Sequence, residues 1–341
     1  MDERKKKVLQ AIVQDYIATA EPVGSRTIAR KYDLGVSPAT IRNEMADLED
    51  LGYIEQPHTS AGRIPSDLGY RYYVDWLMEK EKLKPYEEEY IQQVFSRKME
   101  QIESVIKQAT EILSQVSNYT AIILGPQLGK RTFQRIELIP LSPNSALMVT
   151  IINSRFVKHH IIDVPETITQ ADLERISGVL NAKLYGYALE QVKEATLKEI
   201  FEDLSNYKVI VKTIFEMIDH LTSDHSSEKV YLGGTLNIFN QPEFKDIDKV
   251  KSLLSVLEQD EILKDLLEAN IPEGLSVRIG GENKYQGINN CSLITSTYQV
   301  NDEIVGTIGI LGPTRMPYSK AISLVECVTE HLTRALEKLL K

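Results

Sequence analysis

Ser37-Pro38-Ala39-Thr40-Ile41-Arg42-Asn43-Glu44-Met45-Ala46-Asp47-Leu48-Glu49-Asp50-Leu51-Gly52 is the stretch that decides the fold. Ser37 is a helix N-cap, and Pro38 sits at the first helical position, where no N–H is needed. Gly52 stops the helix, so it runs over residues 38–51. At about 100° per residue, Ile41, Met45 and Leu48 share an apolar face. Ala39, Asn43 and Ala46 lie opposite, flanked by Thr40, Arg42 and Asp47. Upstream, Val8, Leu9, Ile12, Val13, Tyr16 and Ile17 mark a first helix over residues 3–20. Ser25 is positioned to cap a second helix from Arg26 to Tyr32, and Asp33-Leu34-Gly35-Val36 is the turn before Ser37. Two helices around a tight glycine-containing turn make a helix-turn-helix.

The pattern downstream completes that module. Tyr53–Gln56 reads as a strand, Pro57–Gly62 as a tip and Arg63-Ile64-Pro65 as the return, which is a wing after a recognition helix. A helix over residues 66–78 follows. Small side chains at Ala39 and Ala46 let the third helix approach base edges. Asn43 has the geometry for an adenine edge, and Arg42 reaches guanine or phosphate. Ser37 and the free N–H groups beside it suit a phosphate. His58, Thr59, Ser60 and Arg63 are the wing contacts over the backbone or minor groove. Ser25, Arg26, Ala39 and Thr40 complete the candidate DNA-binding set.

Charge sets a condition on this reading. The 341 residues carry a net charge of −10, and the first eighty hold 11 Lys/Arg against 13 Asp/Glu. A near-neutral module binds DNA only if its cations cluster on one surface, because local potential decides contact. That favours a two-subunit protein reading a site over a non-specific binder. Hydrophobic content of 42% and charged content of 26% are those of a globular chain of two or three domains. No run of about 18 apolar residues occurs, so no membrane span is expected. The opening MDERKKKVLQ is not a secretion signal. The two cysteines, Cys291 and Cys327, lack metal-ligand spacing, which points away from a zinc site or disulfide scaffold and towards the cytoplasm.

Beyond the head, residues 79–87 read as a linker broken by Pro85, and residues 86–116 as one long amphipathic helix. Residues 121–124, 133–141, 146–152 and 155–164 read as an antiparallel meander. His159 and His160 sit in its last strand and point to opposite faces, which forbids a shared metal. Residues 166–227 are mainly helical, with a polar turn at 224–228. Strands resume after Gly274 (276–280, 291–298 and 303–311), and a helix closes the chain over residues 318–340. Sheet, helices, sheet is the order of a helical insertion in one α/β domain. Gly306, Gly309 and Gly312 precede Pro313, which removes a dinucleotide-binding helix start and leaves a turn signal. Gly233-Gly234-Thr235 lacks the lysine of a phosphate loop. No local nucleophile signature occurs, so an enzyme is not expected and no cofactor is called for.

Three blocks carry a family resemblance. The first is Glu21-Pro22-Val23-Gly24-Ser25-Arg26, Val36–Met45, Leu51-Gly52-Tyr53-Ile54 and the wing His58–Ser66 with Gly69–Asp75. The second is Gly233-Gly234-Thr235-Leu236-Asn237 with Gln241-Pro242-Glu243-Phe244, and the third Gly280-Gly281-Glu282-Asn283. Together they resemble the bacterial heat-inducible transcription repressor family HrcA over essentially the whole chain. The resemblance implies an α+β multidomain protein. Its parts are an N-terminal winged helix-turn-helix (1–80), a discontinuous GAF-like α/β domain (86–165 and 228–341) and a mainly helical inserted dimerisation domain (166–227). It further implies a homodimer that represses chaperone operons at an inverted-repeat operator in double-stranded DNA. Heat stress relieves the repression, and the chaperonin is the partner that maintains activity.

Two other readings stay open on the residues alone. GAF-type folds often hold ligands, which would make the chain a small-molecule-gated regulator. A helical head with a hairpin also serves protein-interaction adaptors.

Overall fold

The computed structural model describes residues 1–59, 61–96, 101–126, 132–152, 156–187, 194–223, 229–268 and 274–340. In the N-terminal head the helices start at their caps. Asp2 accepts the Lys5 N–H at 2.8 Å and opens α1 (Glu3–Thr19), which ends at Ala20 with φ 59°. Gly24, not Ser25, is the N-cap of α2 (Ser25–Lys31), so Ser25 becomes its first residue. Ser37 accepts the Thr40 N–H at 3.1 Å and opens α3 (Pro38–Asp50). The short strands β1 (Ile54–Glu55) and β2 (Ile64–Pro65) pair antiparallel, with Ile54 opposite Pro65. A third rung joins Val23 to Arg63 through two backbone bonds of 2.9 Å. α4 (Asp67–Tyr72) begins at the Ser66 cap and widens into a π-helical turn over Tyr73–Leu77, where one helix was expected. Val8, Leu9, Ile12, Ile28, Ile41 and Leu48 are fully buried and form the head's core.

The remaining elements, in chain order, are α5 (Pro85–Phe95), α6 (Ile102–Ser117), β3 (Thr120–Leu124), β4 (Phe133–Ser142), β5 (Ser145–Ile152), β6 (Phe156–Asp163), α7 (Gln170–Leu184), α8 (Glu194–Asp203), α9 (Lys208–Ser223), β7 (Val230–Gly233), α10 (Ile247–Leu257), α11 (Asp260–Glu268), β8 (Leu275–Ile279), β9 (Cys291–Val300), β10 (Glu303–Pro313) and α12 (Tyr318–Leu339). The single helix expected over 86–116 is two helices, because Pro85 starts one and a second begins at Ile102.

The chain divides into two compact units, Met1–Pro126 with Glu228–Leu339, and Gln127–Ser227. In the first, five strands form one antiparallel sheet in the order β7-β3-β10-β9-β8. Ile122, Leu124, Leu293 and Leu311 share a core with Leu253, Leu257 and Leu263 of α10 and α11. The alternate residues Ile123, Ile294, Ile308 and Ile310 are also buried, and α6 and α12 lie against β3 and β9. A sheet covered on both faces reads as continuous apolar runs rather than alternation. β7 went unread because strands were expected only after Gly274.

The glycines of β10 are strand residues, which corrects the turn expected there. A Cβ on Gly306 would stand 2.5 Å from the Tyr298 hydroxyl, which donates to the Leu124 carbonyl at 2.7 Å. A Cβ on Gly309 would stand 2.7 Å from the Ile294 carbonyl oxygen. Here glycine lets strands and a buried tyrosine pack closely.

The second unit holds the separate sheet β4-β5-β6. The expected meander therefore breaks after β3, and the division between units falls before β4 rather than at residue 165. Leu173, Ile176 and Leu180 of α7 cover Ile136, Leu138, Met148 and Ile162. Asn181 satisfies the free edge of β4, accepting the Ile136 N–H at 2.8 Å and donating to its carbonyl at 2.9 Å. His159 is exposed and His160 is partly buried, as strand alternation requires. The turn expected at 224–228 lies outside the described residues.

Candidate nucleic-acid interface

α3 is held by its apolar stripe. Ile41, Met45 and Leu48 are buried, and α1 packs against them. That contact turns Ala39, Arg42, Asn43 and Ala46 to solvent, all four exposed. Thr40 is half-buried, its hydroxyl 3.0 Å from that of Ser37, so these two side chains bond to each other and fix the helix start.

Glu44 and Asp47 of α3 are tied off from behind. Lys5 of α1 reaches Glu44 at 3.0 Å and Asp47 at 2.9 Å, and Arg4 reaches Glu44 at 3.5 Å. Those carboxylates push the Lys5 ammonium above the usual lysine range. Asp15, buried in α1, pairs with Lys31 at 2.5 Å. Among the described residues, Arg26, Arg30 and Arg42 make no ion pair, and all three are exposed. The module's near-zero charge is thus an average over ion pairs, three exposed arginines without a pair and exposed acids likewise without one among the described residues (Glu21, Asp33, Asp50 and Glu55), so their placement on the surface decides the local potential.

The wing is built differently from the expectation. The Arg63 guanidinium is occupied by Glu49 at the end of α3, at 2.7 and 2.9 Å. Together with the Val23 rung, this makes Arg63 a brace between the wing, the 21–24 loop and α3. A Cβ on Gly62 would lie 2.6 Å from the Val23 backbone, which explains glycine there. The tip is ordered by Gln56, whose amide donates to the carbonyls of Thr59 at 3.0 Å and Ala61 at 3.1 Å. That role went unread, since a glutamine beside a turn carries no periodic signal. His58 and Thr59 are exposed at the tip, and Ser60 lies outside the described residues. Ser25 is half-buried beside the exposed Arg26.

Burial pushes the Cys291 thiol up to about 12 and the Cys327 thiol up to about 11, so both stay protonated at neutral pH. No cluster of His, Cys, Asp and Glu among the described residues has the makings of a metal site. No helix among them is long and apolar enough to cross a membrane.

Comparison with known families settles the kinship. Residues 103–322 match the family described as HrcA protein C terminal domain. The chain belongs to the HrcA family. It is 51% identical over 340 residues to the heat-inducible transcription repressor HrcA of Moorella thermoacetica, covering 99% of each chain. It is 50% identical over 342 residues to that of Pelotomaculum thermopropionicum, covering 100% of this chain and 98% of the other. A crystal structure described as that of a hypothetical protein has the same fold at TM-score 0.68 and 24% identity, over 99% of both chains. The role these relatives are named for, heat-inducible transcription repression, is non-enzymatic.

Proposed function

We propose that the chain is a homodimeric cytoplasmic repressor that reads an inverted-repeat operator in double-stranded DNA through α3. The observation that carries this reading is the exposed face Ala39-Arg42-Asn43-Ala46 beside acids neutralised by Lys5 and Arg4. Small residues allow close approach, Asn43 and Arg42 supply base and phosphate contacts, and Arg26 and Arg30 add unpaired charge. In this reading residues 1–80 are a winged helix-turn-helix. The five-stranded sheet with its helices is the GAF-like domain, and the second unit is the inserted dimerisation domain.

The second unit offers a surface for the dimer. On the face of its sheet away from the core, Ile139, Leu147 and Ile161 stand in one cross-strand row. Ile139 is 47% and Ile161 65% exposed, with Leu141 nearby at 53%. An apolar sheet face of this kind suits burial against its own copy. The targets are chaperone operons, heat relieves repression, and the chaperonin keeps the repressor active.

Two cavities among the described residues bear on the sensor reading. One, beside Tyr119 and Cys291, holds about 10 Å³, and a polar cleft between Asp248 and Asn290 holds about 210 Å³. Ligand sites run to roughly 300–1,000 Å³.

The test is a fluorescence-anisotropy titration of a chaperone-promoter inverted repeat against a scrambled duplex at fixed salt, with and without chaperonin. Preference for the operator by about 10³ or more supports the reading. Equal weak binding to both duplexes rejects it.

A further inference from the structure

The head does not hang on a flexible tether. Its first helix, its last helix and its connector are bonded to the core of the first unit, at three separate places. At the first, Asp67 accepts the Gly281 N–H at 2.8 Å, and Gly280 (φ +52°) leaves no room for a Cβ, which would fall 2.1 Å from the Asp67 carboxylate. One turn on, the Arg71 guanidinium forks onto the Glu282 carboxylate, with one contact at 2.8 Å, and donates to the Val277 carbonyl at 2.6 Å. β8 is an edge strand, so Arg71 also closes its open side. Glu282 is held in turn by the Ile279 N–H at 2.8 Å. Burial opposes its charge, but Arg71 and that N–H outweigh burial and hold its carboxyl below the usual glutamate range.

At the second place, Arg315 pairs with Glu243 and donates to the Ile17 carbonyl at 2.6 Å. Ile17 is in the last turn of α1, where carbonyls lack helical partners. At the third, Ser319 and Ser323 of α12 donate to the carbonyls of Glu79 and Glu81, each at 2.6 Å. Tyr70 and Tyr318, both buried, meet between the first two places with ring centroids 5.8 Å apart. The second and third family blocks, around Glu243 and Gly280–Asn283, thereby find their use: both receive the head.

We propose that Asp67, Arg71 and Arg315 are positioning residues that fix the orientation of the head on the core, so that a dimer accepts one half-site spacing. The inference rests on the operator-reading function proposed above. Attachment points on three different segments of the head, α4, α1 and the connector, oppose its rotation about any one of them. One base pair of extra spacer moves a half-site by about 3.4 Å and turns it by about a tenth of a helical turn. A latched pair of heads cannot follow that movement, and the gain from binding both half-sites, about 10²-fold or more, then disappears.

The experiment compares the full-length parent with Arg71→Met/Arg315→Met and with Glu282→Gln, which keeps the shape of the glutamate. Each is titrated with a single half-site, the inverted repeat, and repeats lengthened or shortened by one and two base pairs. The expected result is unchanged half-site affinity in all proteins. In the parent a one-base-pair change costs about tenfold or more, and in the double variant less than about threefold, with Glu282→Gln between. A spacing profile as sharp in the double variant as in the parent overturns the proposal. So does tighter binding of the native repeat by the variant, or an equal loss on half-site and full site. Tryptic cleavage at Lys80 and Lys82 gives a readout without DNA: the latch predicts slow cutting in the parent and faster cutting in the double variant. If the parent binds no duplex, the function reading fails, and the cleavage rates still decide whether the head is latched.

Discussion

Replacing Arg42 by Ala isolates what the unpaired arginines contribute. Arg42 is exposed on α3 and makes no ion pair among the described residues, so its removal leaves no buried partner behind. Removing one phosphate contact lowers the slope of log K against log salt by about 0.9, and a dimer with two copies of the change drops by about 1.8. From about 50 to about 200 mM salt, the variant's affinity should therefore fall by about tenfold less than that of the parent. Arg63 should behave differently, because Glu49 already occupies it. Arg63→Ala leaves the Glu49 carboxylate facing the DNA, which weakens binding on every sequence alike. Glu49→Gln releases Arg63 and should strengthen binding and steepen the slope. The assay is anisotropy on one operator at five or more salt concentrations, with circular dichroism to confirm the fold. An Arg42→Ala slope equal to that of the parent would refute the assignment of this face. A flat response to Glu49→Gln would show that Arg63 already leaves its partner in the complex.

Three further outcomes follow from the geometry. Asn43→Ala should cost about 1–3 kcal/mol at one base position and relax specificity there, read by titrating single-base operator variants; equal loss on all sequences would remove its base-reading role. Gly69→Ala should melt the head early in a thermal scan, because the new Cβ would stand 2.0 Å from the Tyr53 carbonyl oxygen, and overpacking costs about 1–3 kcal/mol or more. In the second unit, hydrogen bonds from Thr169 and the Tyr207 hydroxyl hold the Asp172 carboxyl down at about 2 against an ordinary value of 3.8. Its contribution is complete above the ordinary value and is lost as pH falls through the lowered one. Amide exchange over α7 should therefore speed up across that window, and Asp172→Asn should remove that part of the change.

Where sequence was legible, local chemistry decided the structure. Ser37-Pro38, Ser66 and Thr169 cap their helices as their residue types require. The i, i+4, i+7 stripe Ile41-Met45-Leu48 fixed which side of α3 meets solvent. Apart from the local bonds of Gln56, the main unread features depend on distant partners. β3 pairs with β7 and β10, far along the chain, and nothing within its five residues distinguishes that from pairing with β4. Gly306 and Gly309 look like turn residues until Tyr298, Leu124 and the Ile294 carbonyl are placed beside them. Arg71 and Glu282 lie 211 positions apart, beyond the reach of any periodicity. Arg63 carries the residue type of a phosphate contact, and only the position of Glu49 shows that the charge is already met.

On the proposed reading, that last case bears on how a head with more acids than bases can approach DNA. Glu44, Asp47, Asp15 and Glu49 each have a cationic partner on a neighbouring element, at 2.5 to 3.0 Å. These pairs join α1 to α3, α1 to α2 and the wing to α3, so the same contacts that cancel the acids also hold the module together. In each pair at least one partner is buried or partly buried, so these contacts belong to the packing between elements as well as to the surface. Their larger effect is on the field: each removes a negative charge from the approach of a phosphate backbone while leaving Arg26, Arg30 and Arg42 unscreened. A head with few free cations binds weakly to DNA at large, since non-specific affinity scales with phosphate contacts. On the proposed reading, discrimination then comes from the base contact at Asn43 and from presenting two such heads at a fixed separation. The bonds from Asp67, Arg71 and Arg315 to the core supply that second condition, because a weakly charged head on a loose tether would have neither the affinity nor the geometry to select a site.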